Sequence, residues 1–168
     1  MTTNRTTTTS IATNSVSAPA HEHEIGVLQV WLRLLTCTTL IENQVSSRLR
    51  TQFETTLPRF DLMAQLARYP DGLTMSDLSQ RMMVSGGNIT SITDNLERDD
   101  FVERITQPGD RRVKLVRLTP KGQLAFDDMA KTHHTWIDEW LSGLSSQEQQ
   151  LLHSLLGKLK QHVQASIP

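Results

Sequence analysis

LSQRMMVSGGNITSITDNLERDDFVER (residues 78–104), followed by DRRVKLVRLTPKG (residues 110–122), is the part of the chain that decides the fold. Ser85 precedes apolar residues at helical spacing, which predicts a helix from about Gly86 to Asp99 directly after a shorter one. The runs FVERI and VKLVRL have strand-like composition, and the Pro and Gly between them favour a hairpin loop of several residues. Two short helices, a turn and a hairpin in this order predict a winged helix-turn-helix.

The rest of the chain is predicted to be helical on both sides of this unit. Leu57-Pro58 interrupts a long apolar pattern, and Thr74 stands three residues before Asp77 in the form of a capping box. Further helices are expected at about residues 24–52 and 59–68, from Thr74 to Met82, and after Thr119-Pro120 and Ser145-Ser146-Gln147-Glu148. The fold class is therefore mainly α with a small β-hairpin wing.

Positive charge is concentrated in one part of a nearly neutral chain. The whole sequence holds 17 basic and 18 acidic residues. Within residues 101–121, six basic side chains face two acidic ones, the basic ones being Arg104, Arg111, Arg112, Lys114, Arg117 and Lys121. A local cluster of this kind predicts an anionic partner that is touched in one place.

The helix that follows Ser85 is predicted to present short polar side chains on its outer face: Ser85, Asn88, Thr90, Ser91, Thr93 and Asn95. Such groups reach base edges and phosphates in a major groove, which predicts that this helix reads double-stranded DNA. Gly86 and Gly87 each cost roughly 1 kcal/mol against alanine inside a helix. Either they lie in the turn and relieve strain there, or they let the helix N-terminus approach a phosphate closely. The two interpretations are compatible.

Asp110, Arg111 and Arg112 are predicted to lie at the tip of the hairpin. A hairpin beside a DNA-reading helix projects over the neighbouring minor groove, whose negative potential attracts arginine most strongly where A·T-rich sequence narrows it. We expect Asp110 to hold the guanidinium of Arg112, and Arg111 to meet a phosphate. A solvated tip with an incidental ion pair is the alternative.

The stretches quoted at the start resemble the reading helix, the D-x-R wing and the L-T-x-x-G exit of the MarR family of bacterial transcription regulators. The resemblance covers residues 25 to 165 and implies that Arg112 is the minor-groove arginine, with Asp110 as its support. Asp100 departs from the family pattern, which usually has glycine before the first strand. TLPRFDLMAQLARYPDGLTMSDLSQRMMVSGGN (residues 56–88) looks closest to members that control the breakdown of aromatic acids, especially hydroxycinnamates and benzoates.

The outer helices carry more apolar surface than a small winged domain can bury. Trp136 and Trp140 lie one turn apart, and a leucine stripe follows Glu148. In the family, the first and last helices of two chains interlock, which implies a homodimer on palindromic DNA; packing within one chain is the alternative. The expected domains are a disordered N-terminal tail (1–22), an N-terminal dimerisation helix (23–57), a winged helix-turn-helix (58–119) and C-terminal dimerisation helices (120–168).

An effector site is expected between the dimer helices and the winged domain, on Trp31, Arg33, Arg48, Phe60 and Met63. Aromatic walls with arginine suit a small aromatic carboxylate or an aromatic acyl-CoA. Core packing or a plain surface position is the alternative for each of these residues. With the resemblance, these residues predict a repressor of aromatic-acid catabolic genes that its effector releases from DNA.

Other functions have weaker support in the sequence. No motif of an activated nucleophile or a paired acid and base is present, so neither an enzyme nor a cofactor is expected. His21, His23 and His133-His134 lack metal-ligand spacing, so no metal is expected. A single cysteine, Cys37, and no long apolar run predict a cytoplasmic protein without a membrane partner. Cys37 is expected to be buried and inert, with oxidant sensing as the alternative. A winged domain that binds only protein is the main rival.

Overall fold

The computed structural model describes residues 26–107 and 110–166, apart from the side chains of Gln107, Asp110 and Arg111. The described part of the chain divides into two compact units between Thr38 and Thr39. Its elements are α1 (Val27–Phe53), α2 (Leu57–Ala67), β1 (Leu73–Thr74), α3 (Met75–Met82), α4 (Gly86–Arg98), β2 (Val102–Gln107), β3 (Asp110–Leu118), α5 (Pro120–Leu141) and α6 (Ser146–Ser166). The predicted order of helices and hairpin is confirmed. The predicted disordered tail lies outside the described residues.

Local capping sets the helix ends. The Thr74 hydroxyl accepts a hydrogen bond from the Asp77 amide at 3.1 Å, and the Asp77 carboxylate accepts one from the Thr74 amide, which confirms the capping box. Ser145 and Glu148 make the same reciprocal pair before α6. The helix α2 begins at Leu57, earlier than predicted, because proline is tolerated in the first turn, where the helix does not need its N–H group.

The sheet contains one strand more than the sequence predicts. β3 lies between β1 and β2, antiparallel to both, with Leu73 opposite Val116 and Val102 opposite Leu118. The hairpin strands also extend further than predicted, up to a register irregularity between Thr106 and Gln107. The backbone of Asp110 to Arg112 therefore belongs to β3, and the prediction of a loop there is wrong. Pairing with β2 extends the strand into residues whose composition favours a turn.

One apolar core joins the C-terminal part of α1 to the winged domain. Its fully buried side chains come from α1, α2, α3, α4, β2 and β3, and they include Leu49, Leu62, Met63, Leu66, Leu78, Ile89, Leu96, Val102 and Val116. Phe60 of α2 packs on Phe126 of α5, with ring centroids 5.6 Å apart. The core therefore fixes α4 against both α2 and the sheet.

Asp100 forms the turn between α4 and β2 in the left-handed conformation, with φ +62°. Glycine adopts this region most easily, and aspartate is among the few other residues that enter it regularly. The Asp100 carbonyl accepts a hydrogen bond from the Thr119 hydroxyl at 2.7 Å. Asp100 thus forms the turn in place of the glycine that the resembled family usually carries.

Two aspartates are expected to affect the pH dependence of stability in opposite directions. Burial, with a smaller repulsion from Glu42, raises the pKa of Asp61 above its ordinary value of 3.8. Hydrogen bonds from the Thr74 side chain and backbone lower the pKa of Asp77 below the same value. Ionised Asp61 therefore costs stability above its folded pKa, whereas ionised Asp77 contributes stability that is lost as the pH falls through its folded pKa.

We expect Asp61→Asn to raise the free energy of unfolding at pH 7 and Asp77→Asn to lower it, each compared with the wild type. Both differences in the free energy of unfolding should shrink as the pH is lowered. The difference for Asp61→Asn shrinks as the pH falls through the raised pKa of Asp61, and the difference for Asp77→Asn shrinks only below pH 3.8. Urea denaturation at several pH values measures both. Asp61→Asn that destabilises the protein equally at every pH would contradict the burial argument.

Candidate nucleic-acid interface

The turn between α3 and α4 is held by short backbone contacts. Met83 ends α3 in the left-handed conformation, with φ +54°. The Val84 carbonyl accepts a hydrogen bond from the Ser79 hydroxyl at 2.6 Å, and the Val84 amide donates to the Ser79 carbonyl at 3.2 Å. Ser85 then caps α4 by accepting a long hydrogen bond of 3.5 Å from the Asn88 amide. These contacts fix the angle at which α4 leaves the turn.

The outer face of α4 is polar and mostly exposed, although Asn95, which was predicted on this face, is half-buried and Thr93 is buried. Ser85, Asn88, Thr90 and Ser91 are exposed, and Ile89 and Leu96 lie in the core on the other side. The prediction that Thr93 faces outward is wrong, because its side chain has 0% exposure and its hydroxyl donates to the Ile89 carbonyl at 2.8 Å. That bond satisfies the hydroxyl inside the core.

Gly86 and Gly87 are the first two residues of α4 and do not lie in the preceding turn. Neither has the positive φ that only glycine adopts readily, and a Cβ atom at either position would meet nothing within 4 Å. The first turn of α4 also contains no acidic residue. Strain relief in the turn therefore does not explain these glycines. The interpretation that remains is an open helix N-terminus without acidic side chains, which an anion can approach.

The wing places Arg112 and Lys114 on β3. Both side chains are exposed, and the Lys114 ammonium donates to the Thr106 hydroxyl at 2.6 Å across the hairpin. The side chains of Asp110 and Arg111 lie outside the described part of the chain, and so does the predicted support of Arg112 by Asp110. Arg112 itself has a polar or electrostatic contact within the protein.

Besides Arg112 and Lys114, three further cations of the basic cluster are engaged within the domain. Arg104 of β2 forms ion pairs with Asp94 and with Glu97, both exposed on α4. Arg117 pairs with Glu103 at 2.7 Å, and the Lys121 ammonium donates to the Asp99 carbonyl at 2.7 Å. The sequence count therefore overstates the charge that is available to a partner. The count also gave no sign of the role of Arg104, which neutralises two carboxylates on α4.

We expect Arg104→Gln to weaken DNA binding by about tenfold at low salt, because Asp94 and Glu97 would then repel phosphates. The loss should shrink as the salt concentration rises. Fluorescence anisotropy of a labelled duplex at two salt concentrations measures it. Adding Asp94→Asn to the variant should restore part of the affinity. A double variant that binds no better than Arg104→Gln would show that Arg104 does not act by screening Asp94.

The predicted effector residues lie in different surroundings. Trp31 and Arg33 are exposed on α1 within residues 26–38. Arg48 pairs with Glu139 at 3.0 Å and lies over the rings of Trp140 and Trp136, 4.9 Å and 5.6 Å from their centroids. Phe60 and Met63 are buried in the core, and Met63 has 0% exposure, which favours packing as the role of Met63.

His133 lies beside Phe60, with ring centroids 5.1 Å apart. Burial, and to a smaller extent the neighbouring His134, lowers the pKa of His133 below 6.5. A neutral imidazole is therefore favoured in this aromatic cluster.

Cys37 is exposed on α1, so the prediction of a buried thiol is wrong for the single chain. Oxidant sensing through Cys37 stays a prediction. Within residues 26–107 and 110–166, no group of three His, Cys, Asp or Glu side chains is arranged to hold a metal ion. No helix in the described part of the chain is long and apolar enough to cross a membrane.

A short helix, a tight turn, a polar exposed helix and an adjoining strand pair define a winged helix-turn-helix of the DNA-binding type. Residues 55–114, which contain both helices of this unit, β2 and the first part of β3, match the MarR family. An uncharacterized HTH-type transcriptional regulator of Bacillus cereus is 28% identical over 142 residues, which are 84% of this chain and 92% of the relative.

Solved structures agree in fold. Streptococcus pneumoniae FabT in complex with DNA has a TM-score of 0.72 at 23% identity, covering 84% of this chain and 100% of FabT. A MarR family transcriptional regulator from Silicibacter pomeroyi has a TM-score of 0.69 at 27% identity, covering 81% of this chain and 94% of that protein. The chain is therefore similar to the MarR family over residues 55–114, and it is a DNA-binding transcriptional regulator of the helix-turn-helix type.

Proposed function

We propose that the protein is a homodimeric repressor of aromatic-acid catabolic genes, which binds palindromic DNA and is released by an aromatic acid or its coenzyme A thioester. The observation that carries the proposal is the apolar surface that α1 and α6 leave uncovered. Every residue of α6 is exposed, including Leu151, Leu152, Leu155, Leu156, Leu159 and Val163 on one helical face. A contiguous apolar face of this kind marks a protein interface.

A second copy of the chain is the partner that suits this surface and the DNA site together. On α1, Val27, Leu28 and Trp31 are more than half exposed as well, so both outer helices offer apolar area. A twofold dimer presents two α4 helices, which reach successive major grooves when they lie about 34 Å apart. The proposed dimerisation regions are residues 23–57 and 120–168, on either side of the winged domain at residues 58–119.

The winged domain of each protomer is proposed to contact DNA through α4 and β3. Asn88 would read a base edge, since an amide side chain can pair with adenine in two hydrogen bonds. Ser85, Thr90 and Ser91 are exposed around it, and Gly86 and Gly87 would admit a phosphate to the N-terminus of α4. Arg112 would enter the minor groove with support from Asp110, and Arg111 would bind a phosphate.

We expect Arg112→Ala to weaken DNA binding most where the flanking minor groove is A·T-rich, without changing dimerisation. Asn88→Ala should instead relax base preference and cost about 1–3 kcal/mol if it makes a bidentate base contact. Titration of matched duplexes that differ only in the flanks, with Lys114→Ala as the control on the same strand, separates the two effects. Arg112→Ala that binds every duplex as tightly as the wild type would refute the role of the wing.

The effector class is supported by aromatic and basic side chains on the helices proposed to dimerise. Trp31 and Arg33 are exposed on α1, and Arg48 lies between Trp136, Trp140 and Glu139. A carboxylate that binds there would compete with Glu139 for the guanidinium of Arg48. The helices that form the dimer also set the distance between the two α4 helices. A ligand wedged among them can therefore favour a spacing that no longer fits one helical turn of DNA.

The proposed release is tested by titrating hydroxycinnamates, benzoates and their coenzyme A thioesters against a preformed DNA complex. A full switch requires the ligand to bind the incompetent form more tightly by about 5.5 kcal/mol. Linkage requires DNA to weaken ligand binding by the same factor. Compounds that neither shift DNA affinity nor bind by calorimetry would show that the effector class is wrong. DNA binding that does not depend on salt would instead favour a winged domain that acts on protein.

A further inference from the structure

A second anion site is indicated by a cleft at the C-terminal end of α4. The cleft has a volume of about 430 Å³ and is lined by residues that include Phe53, Arg59, Asp99, Phe101 and Lys121. A smaller cavity of about 140 Å³ shares Phe53 and Phe101 and is further lined by Ala125 and Met129. The cleft therefore places cationic groups beside an apolar recess.

Arg59 has one buried hydrogen-bond donor that is unused in the described part of the chain. Its Nη2 donates to the Asp99 carboxylate, while its Nε is buried and has no hydrogen-bond partner among the described residues. Nε and Nη2 form one side of the guanidinium fork, which a carboxylate can bridge with two parallel hydrogen bonds. Asp99 uses only half of that side. A buried donor without a partner costs stability, so an acceptor that fills it is favoured.

The same ion pair connects the cleft to the reading helix. Asp99 is the C-cap residue of α4, and its carbonyl also accepts the hydrogen bond from Lys121. Arg59 belongs to α2, and Lys121 to the first turn of α5. The end of α4 is therefore tied to two neighbouring helices through one residue. A ligand that displaces Asp99 from Arg59 would remove the ion pair between the end of α4 and α2.

We propose that this cleft binds a single-ring aromatic monocarboxylate, whose carboxylate bridges Nε and Nη2 of Arg59 in place of Asp99 and whose ring enters the recess beside Phe53 and Phe101. The ligand class rests on the proposed function, and Arg59 is not one of the effector residues expected from the sequence. Three acidic residues of the lining balance three basic ones, so the cleft has no surplus positive charge for the several phosphates of a coenzyme A thioester; the six are Glu54, Asp99, Asp100, Arg59, Arg98 and Lys121. The free acid is therefore the ligand of this site.

Asp99→Asn separates this proposal from a purely structural role of the ion pair. The variant removes the carboxylate that competes for Arg59 and keeps the shape of the side chain. Benzoate and 4-hydroxycinnamate should then bind at least about tenfold more tightly than they bind the wild type. Arg59→Met should abolish that binding. Calorimetry on the full chain measures both, with methyl benzoate as the uncharged control ligand and thermal melting as the check on folding.

Arg68→Met is the matched control, because Arg68 is exposed at the end of the same helix as Arg59 and lines neither cavity. The proposal predicts that this variant binds benzoate as the wild type does. The opposing result is benzoate that binds the wild type and lowers its affinity for DNA, while the affinity for benzoate changes in Arg33→Met, a variant of an effector residue expected from the sequence, but not in Asp99→Asn. This result would refute the cleft as the binding site and leave the proposed function intact. No binding of any acid to the wild type or to Asp99→Asn would overturn the cleft and would leave the thioester as the effector of the proposed function.

Discussion

Leu155→Glu together with Leu159→Glu is expected to convert the proposed dimer into a monomer that no longer binds palindromic DNA specifically. Both leucines are exposed on the apolar face of α6, at 53% and 45%. Burial of a leucine contributes about 1.5–3 kcal/mol, and the dimer would lose four of them, so the dissociation constant should rise by at least about 10⁴-fold. A monomer contacts DNA with one winged domain and not two, so its affinity for DNA should fall by about 10³-fold, towards the non-specific level.

The matched control for this prediction is Gln161→Glu with Gln164→Glu, two substitutions that add the same charge on the opposite face of α6. This control should remain a dimer at micromolar concentration. Sedimentation velocity on both double variants and the wild type gives the outcome. A leucine variant that stays dimeric would show that α6 does not form the interface.

Gly122→Ala is expected to destabilise the fold by about 3 kcal/mol or to prevent folding, because overpacking against rigid backbone cannot relax. A Cβ atom at Gly122 would overlap the Phe101 carbonyl oxygen and lie 2.7 Å from its carbon. The same carbonyl accepts the Thr119 amide at 3.1 Å, so the first turn of α5 sits directly on the start of β2. This close approach explains the glycine in the sequence LTPKG.

Gly157→Ala on α6 is the control for that prediction. A Cβ atom there meets nothing within 4 Å, and glycine costs about 1 kcal/mol against alanine inside a helix, so this variant should be more stable than the wild type. Urea denaturation of the two variants measures the difference. Equal stability of Gly122→Ala and the wild type would contradict the packing of α5 on β2.

The elements that the sequence predicted well are those with short-range causes. The capping boxes at Thr74 and Ser145 form within four residues, so their residue types suffice to locate α3 and α6. The strand β1 is only two residues long and exists through pairing with Val116 and Leu115, far along the chain. A local pattern cannot reveal such a strand. The extension of β3 over Asp110 to Arg112 has the same non-local cause.

The interface was predictable in its polar surface but not in its charge pairing. The helical spacing already places Thr93 on the same face as Ile89 and Leu96. In the structure Thr93 is buried with them although its side chain is polar. The ion pairs of Arg104 with α4, and of Arg59 with Asp99, join residues on different elements. Only the packed fold brings these groups together, so residue counts assigned Arg104 to the partner.

The most direct measurement is the affinity for a palindromic duplex, obtained by selection from random DNA, as the distance between its half-sites is changed. Two α4 helices held in one dimer predict tight, salt-dependent binding of one dimer per duplex at the selected spacing. Inserting 5 base pairs, about half a helical turn, should weaken binding by about 10²-fold or more, because the second half-site then faces away. Equal affinity at both spacings would contradict a dimer that reads DNA with paired α4 helices.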